Sequence, residues 1–178
     1  MTLDDLKALV RTVPDFPKPG ILFRDITTLI GHGAGFAASV EVLAERTSRT
    51  GAAAIAGMEA RGFIFGAAVA ARLGLPFIPV RKPGKLPVPV LAIDYALEYG
   101  TDTLEVDPAG IVPGSRVTVI DDLIATGGTA LAAAQLLRRA GAEVGHAHFV
   151  IDLPDLGGAE CLRGAGLVVD ALMAFPGH

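Results

Sequence analysis

The sequence is poor in cysteine, in basic charge and in uninterrupted apolar runs, and each shortage removes a class of protein. Cys161 is the only cysteine among 178 residues, so no intrachain disulfide can hold the fold and a reducing compartment is expected. The thiol itself is expected to be buried or inert. Acidic residues outnumber basic ones, 19 against 15, for a net charge of -4. Duplex nucleic-acid binders need a basic face, so that class is excluded, whereas a small anionic ligand needs only a local cluster of donors. The opening MTLDDLKALVRTV carries acids where a secretory signal needs a basic start and an apolar run. The most lipid-like stretch, Gly62 to Val80, is interrupted by Arg72, Gly74 and Pro76 and reads as helix, turn and strand, not as a membrane span. A cytoplasmic protein is expected, with no membrane and no nucleic-acid partner.

What is present is core. Hydrophobic residues make up 51% of the chain, enough for one domain spanning 1–178, and no repeat or domain-splitting linker interrupts it. A short amphipathic helix is expected at Leu6, Leu9 and Val10. The proline-rich VPDFPKPGILFRDIT (Val13–Thr27) follows as an ordered surface arm, part of an N-terminal hood over about 1–30. Residues 34–48 have helical spacing, AAAIAGM (52–58) reads as a buried strand, GFIFGAAVAARLG as a helix, and Phe77–Val80 as a strand. KPGKLPVPVLAIDYALEYG, over about 82–100, lacks helical period and reads as a loop-like lid. Arg116–Ile120 is strand-like, TALAAAQLLRRAGAE is a strong helix and residues 144–153 form a strand. Strands alternating with helices predict an α/β fold: a mostly parallel twisted sheet flanked by helices, with a small hood and a flexible lid.

The chemistry concentrates in VTVIDDLIATGGTA (Val117–Ala130). Asp121 and Asp122 end an apolar strand; Ala125, Thr126, Gly127, Gly128, Thr129 and Ala130 then form a turn into a helix. Glycines let the backbone approach an anion, threonines add hydroxyl donors, and the helix N-terminus supplies unpaired N–H groups. No lysine follows the glycines, so this is not the ATPase loop. Two carboxylates beside an anion cradle repel the anion unless a neutral donor or a cation stands between; like charges 4 Å apart repel by roughly 1 kcal/mol even in water. A ribose 5-phosphate satisfies both groups, its phosphate in the turn and its vicinal hydroxyls on the acids. The plainer alternative is an acidic pair capping an ordinary helix.

VTVIDDLIATGGTA resembles the phosphoribosyl pyrophosphate signature of the type I phosphoribosyltransferases. DFPKPGILFRDIT, GMEARGFIFG, RKPGKLP and LEYG are similar, in order and spacing, to blocks of the adenine phosphoribosyltransferase family, covering about Asp15 to Ala130. The resemblance implies the type I phosphoribosyltransferase fold and transfer of the phosphoribosyl group of 5-phosphoribosyl 1-pyrophosphate to adenine, giving AMP and pyrophosphate. It also implies Mg²⁺ held mainly by substrate oxygens and water, with no dedicated protein metal site, and a homodimer. His146 and His148 alternate correctly for one strand face, but with no third ligand nearby they read as core or rim residues.

By the same resemblance, backbone groups near Leu22 and Arg24, with Phe23 between them, read the edge of adenine. Glu59, Ala60, Arg61 and Gly62 form a second anion turn with a cis Glu59–Ala60 peptide, and Arg61 shields the purine or leaving group. Arg81, Lys82 and Lys85 are pyrophosphate partners, such residues acting in the family across the dimer interface. Glu98 is the acid/base residue and Tyr99 a lid residue packed near the site. Without the resemblance, Glu98 would read as an exposed acid on a hairpin, Arg61 as a surface cap, and Leu22 and Phe23 as staples of the arm. Two rivals remain open: a phosphoribosyltransferase for another base, and a non-catalytic phosphoribosyl pyrophosphate sensor, for which this acidic chain has no DNA-binding unit.

Overall fold

A computed structural model describes residues 1–96 and 100–177. In chain order the elements are α1 (Leu3–Ala8), β1 (Arg11–Pro14), β2 (Leu22–Asp25), α2 (Thr27–Gly31), α3 (Gly33–Ser48), β3 (Ala54–Met58), α4 (Arg61–Leu73) and β4 (Phe77–Val80). They continue with β5 (Leu91–Ala96), β6 (Thr101–Val106), β7 (Arg116–Ile124), α5 (Gly128–Arg139), β8 (Glu143–Asp152), α6 (Gly158–Gly164) and β9 (Val168–Ala174). Short 3-10 turns lie at Pro108–Gly110 and Pro154–Leu156.

The central sheet has the order β4-β3-β7-β8-β9, and every neighbouring pair in it is parallel. Such strands are covered on both faces, which is why β3, AIAGM, is buried at every position. On one face Leu136, Leu137 and the alanines of α5 pack over Val117, Val119 and Phe149. On the other, Leu43 of α3 and Phe65 and Val69 of α4 pack over Ile55, Ile120 and Ile151. The expected sheet and its flanking helices are therefore present. From β3 the chain crosses to β4 on one side and returns to β7 on the other, so the strand order reverses between β3 and β7. Ligands of open α/β sheets gather at such a switch point, beyond the carboxyl ends of the strands.

The arm is ordered, as expected, and more regular than its prolines suggest: β1 and β2 form an antiparallel hairpin, with Thr12 opposite Arg24. The connecting loop holds a cis Phe16–Pro17 bond, and Gly20 N donates to Asp15 Oδ1 at 2.8 Å. At its foot, Asp25 accepts from the Thr27 hydroxyl at 2.6 Å and from Arg11 Nη2 at 2.5 Å, which draws its pKa down to about 2. The lid is likewise not all loop, since β5 pairs antiparallel with β6, Leu91 opposite Val106 through Ala96 opposite Thr101. Cys161 is exposed on α6, not buried.

Candidate active site

The anion-binding capacity of the switch point follows from two helix starts. Thr2 caps α1 and His32 caps α3 with side-chain acceptors. Neither α4 nor α5 has a side-chain cap, so N–H groups of their first turns face the cleft without one. Before α4, the Glu59–Ala60 peptide is cis. Before α5, Gly127 has φ +85, and a Cβ there would lie 2.8 Å from the Gly158 carbonyl oxygen; only glycine makes that turn. At Gly62 a Cβ would stand 2.6 Å from Asp121 Oδ1. Glycine there lets α4 start against the acid.

β7 runs past Ile120 to Ile124 and carries both acids within the strand. They line a cleft of about 270 Å³ together with Glu59, Ala60, Arg61, Lys82 and the turn from Ala125 to Ala130. Asp122 is only 3% exposed. Arg61 Nε stands 3.0 Å from Asp122 Oδ2, close enough for an ion pair, yet that oxygen has no hydrogen-bond partner among the described residues. The Asp122 amide donates to Asp121 Oδ1 at 2.9 Å. Burial, and then the neighbouring Asp122 charge, push the Asp121 pKa well above the ordinary carboxylate value. Burial also raises Asp122, opposed by Arg61. Such a pair gains from a ligand that brings hydroxyl donors or positive charge.

The cationic side of the cleft is already engaged. Lys82 Nζ contacts the Asp102 carboxylate and lies 3.1 Å from Tyr95 Oη; the Thr129 hydroxyl lies 3.4 Å from the same phenol. Burial disfavours the Lys82 charge, but the bonds to Asp102 and Tyr95 outweigh it and its pKa is raised. The β5–β6 hairpin is thereby linked to the turn before α5. Arg81 Nε donates to Glu59 Oε2 at 2.8 Å, so two residues expected to meet ligand separately hold each other.

Most of the predicted set therefore converges: Glu59, Ala60, Arg61, Lys82, Asp121, Asp122 and residues 125–130 line one cleft. Gly62 backs it from the first turn of α4. Arg81 and Lys85 do not line it; Arg81 supports Glu59, and Lys85 is exposed. Leu22, Phe23 and Arg24 are on β2, where the Arg61 guanidinium lies 6.0 Å from the centre of the Phe23 ring. The Arg24 side chain turns away into the protein, 9% exposed. Glu98 and Tyr99 lie outside the described residues. Sequence reasoning missed Met58, Leu104, Leu123 and Ile124 of the lining, and Tyr95 and Asp102 behind Lys82. The alternation Leu91, Ile93, Tyr95 against Ala92, Asp94, Ala96 is the signal that marks the hairpin. His148 is in the core, its Nδ1 3.0 Å from the Thr47 hydroxyl, and His146 is half-buried. Neither lines the cleft.

A phosphoribosyl transferase domain model matches residues 28–159. The adenine phosphoribosyltransferase of Novosphingobium aromaticivorans is 74% identical over 178 residues, all of both chains. The chain belongs to the adenine phosphoribosyltransferase family. Among solved members, adenine phosphoribosyltransferase from Thermoanaerobacter pseudethanolicus superposes with TM-score 0.93 at 45% identity, covering 98% of this chain and 100% of that one. The Saccharomyces cerevisiae adenine phosphoribosyltransferase, solved with D-2,5-dideoxy-2,5-imino-altritol 1,6-bisphosphate and adenine, gives TM-score 0.90 at 35% identity over 96% of this chain and 98% of that one. The parallel sheet, the hairpin hood and the cleft at the strand reversal are thus features of an adenine phosphoribosyltransferase family member. Among the described residues, no helix is long and apolar enough to cross a membrane.

Proposed function

We propose that this chain transfers the phosphoribosyl group of 5-phosphoribosyl 1-pyrophosphate to adenine, yielding AMP and pyrophosphate in purine salvage. One phosphoribosyltransferase domain over 1–178 carries the reaction, with its arm to about residue 30 and its lid over about 82–100. The observation that carries this reading is the meeting, in one cleft, of an acid pair, Asp122 buried and Asp121 half-buried, the uncapped starts of α4 and α5, and Arg61 reaching toward Phe23. Acids alone would suit a metal and anion turns alone a phosphate; a phosphorylated sugar with a base beside it uses all three.

In this reading the 5-phosphate sits on residues 125–130, the ribose hydroxyls donate to Asp121 and Asp122, and the diphosphate lies toward Glu59–Gly62 and Lys82. Backbone groups of Leu22 and Arg24, two residues apart and so on the same edge of β2, bond the edge of adenine beside Phe23. A backbone reader discriminates an amino from an oxo group because the mismatched base leaves a buried donor or acceptor unpaired. The base nitrogen bonds to the anomeric carbon as the carbon–oxygen bond to pyrophosphate breaks, and the base surrenders a proton, for which Glu98 is the acceptor. Tyr99 and the hairpin exclude water.

The donor chemistry fits Mg²⁺. Two carboxylates offer hard oxygens, and Asp122 Oδ2 keeps an acceptor site without a hydrogen bond. Among the described residues no group of three or more His, Cys, Asp or Glu could hold an ion by itself. Asp121 and Asp122 would hold the ion's water shell while substrate oxygens supply the rest, as suits a cation that dehydrates reluctantly. When bound, it neutralises charge on the departing pyrophosphate. We further infer a homodimer in the cytoplasm: Lys85 is exposed and lines no part of its own cleft, which suits a role in the cleft of the partner subunit.

The deciding experiment incubates the protein with adenine, 5-phosphoribosyl 1-pyrophosphate and Mg²⁺ and measures AMP, with hypoxanthine, guanine, xanthine and orotate as competitors. AMP as the main product supports the proposal. Faster use of another base overturns the adenine assignment, and binding of the ribosyl diphosphate without turnover favours a sensor.

A further inference from the structure

Arg24 is the buried cation of the hood. Its Nη1 donates to the Thr12 hydroxyl at 2.7 Å and its Nη2 to the Pro176 carbonyl at 2.8 Å. The guanidinium carbon lies 4.8 Å from the centre of the Phe175 ring, on which the Lys7 ammonium also rests at 4.9 Å. No carboxylate is hydrogen-bonded to the guanidinium, and Nε is buried without a hydrogen-bond partner among the described residues. A cation held this way is costly to desolvate. What it gains is position: a planar fork across β1, an aromatic face and a backbone carbonyl fix the middle of β2 in three directions.

The segment that supplies the ring and the carbonyl is itself anchored. Phe175 N donates to the Asp152 carbonyl at 3.0 Å, and Gly177 N to Asp155 Oδ2 at 2.7 Å. Asp155 lies in the turn Pro154–Leu156, which is bonded to the anion turn on both flanks: Leu153 N to Ile124 O at 3.0 Å and Gly158 N to Ala125 O at 2.9 Å. Hydrogen bonds and short covalent stretches thus join the turn before α5 to the strand of the hood, and beyond Ile124 and Ala125 no residue of this path lines the cleft.

We propose that Phe175–Gly177 is a buttress that positions the base-reading edge of β2, with the Arg24 side chain as its positioning residue. The proposal rests on the assignment of adenine to that edge. Loosening the buttress leaves the glycine turn and the acid pair intact, so the loss falls on the base and spares the ribosyl diphosphate. A hydrogen bond to a charged group is the main link broken, which corresponds to roughly a tenfold effect.

The test compares the parent protein with Arg24→Ala, Arg24→Lys, Asp155→Ala and a chain lacking residues 175–178. For each, KM for adenine, kcat, the dissociation constant for 5-phosphoribosyl 1-pyrophosphate and the melting temperature are measured. Arg24→Ala and the shortened chain raise the adenine KM by roughly tenfold and leave ribosyl diphosphate affinity within about twofold. Arg24→Lys recovers part of the loss, and Asp155→Ala shows a smaller shift of the same kind. An unaltered adenine KM in a folded shortened chain overturns the proposal, as does an equal loss for both substrates. If the shortened chain does not fold, Asp155→Ala decides by the same criterion. A parent that ignores adenine refutes the base assignment instead, and the KM split is then read with the base it does use.

Discussion

Arg61 stands 3.0 Å from the buried Asp122 carboxylate, joining the first turn of α4 to the strand it packs against. With Phe23 on its other side, this one side chain spans the cleft from its acidic floor to the hood. Changing Asp122 to Asn keeps the shape and removes the charge. Affinity for 5-phosphoribosyl 1-pyrophosphate is expected to fall by about 10–100-fold, in line with the loss of charge-assisted hydrogen bonds, with a smaller loss for adenine. Calorimetric titration of each substrate checks this; equal losses would mean that the acid holds the fold and not the sugar.

Asp121 leads to a prediction on stability. Its pKa is raised in the folded protein, so folding favours the protonated form. That contribution is fully present below the ordinary carboxylate pKa and is lost as pH rises through the folded value. Ionising Asp121 is therefore penalised in the folded protein. Asp121→Asn is expected to stabilise the empty protein and raise its melting temperature, while weakening ribosyl diphosphate binding. Scanning calorimetry at pH 7 gives the answer, and a lower melting temperature would rule out the penalty.

Lys82 shares its ammonium between Asp102 and Tyr95, so a pyrophosphate in the cleft competes with the Asp102 carboxylate for its charge. Lys82→Ala is expected to weaken ribosyl diphosphate binding by about 10–100-fold. Asp102→Asn, which loosens the competing hold, is expected to strengthen it by about two- to fivefold, a change of under 1 kcal/mol. Steady-state KM values for the two variants should move in opposite directions. A parallel rise would make Asp102 a support of Lys82 instead of its competitor.

His148 carries the acid sensitivity of the core. Burial holds its pKa at about 4 against an ordinary 6.5, so the unfolded chain takes up a proton that the folded chain refuses. The associated stability is complete above pH 6.5 and disappears as pH falls toward 4, amounting to about 3 kcal/mol over that window. Urea unfolding at pH 7, 5.5 and 4.5 measures the slope. His148→Asn, which can still bond Thr47, should flatten it, and an unchanged slope would assign the acid loss elsewhere.

Glu98→Ala is expected to lower turnover by about 10²–10⁴-fold, the usual worth of general acid–base help, with ribosyl diphosphate affinity nearly unchanged. Single-turnover measurements beside equilibrium binding separate the two effects. An unaltered rate removes Glu98 from the chemistry.

The parallel sheet and the glycine turn were legible because their signals are local. Apolar runs such as AAAIAGM admit few structures besides a buried strand, and two glycines between threonines at a helix start leave the backbone bare. The hairpins were less legible. Prolines 14, 17 and 19 hide β1 and β2, since proline argues against a strand interior while β1 simply ends on Pro14 and the other two lie in the connection. In β5 the alternation is present, yet the preceding Pro-Gly-Lys-Leu-Pro dominates a reading by composition. The pairing of Arg81 with Glu59, 22 residues apart, and of Arg24 with the carbonyl of Pro176 has no sequence signature. Partners of that kind are chosen by tertiary approach and not by spacing.

Residues 11–25 leave the ribosome some 150 positions before Phe175, Pro176 and Gly177, the separation between Arg24 and its carbonyl partner being 152. β9, the last strand of the sheet, ends at Ala174, one residue before Phe175, so a nascent hood hairpin gains its distant partner only when the edge of the sheet is also being laid down.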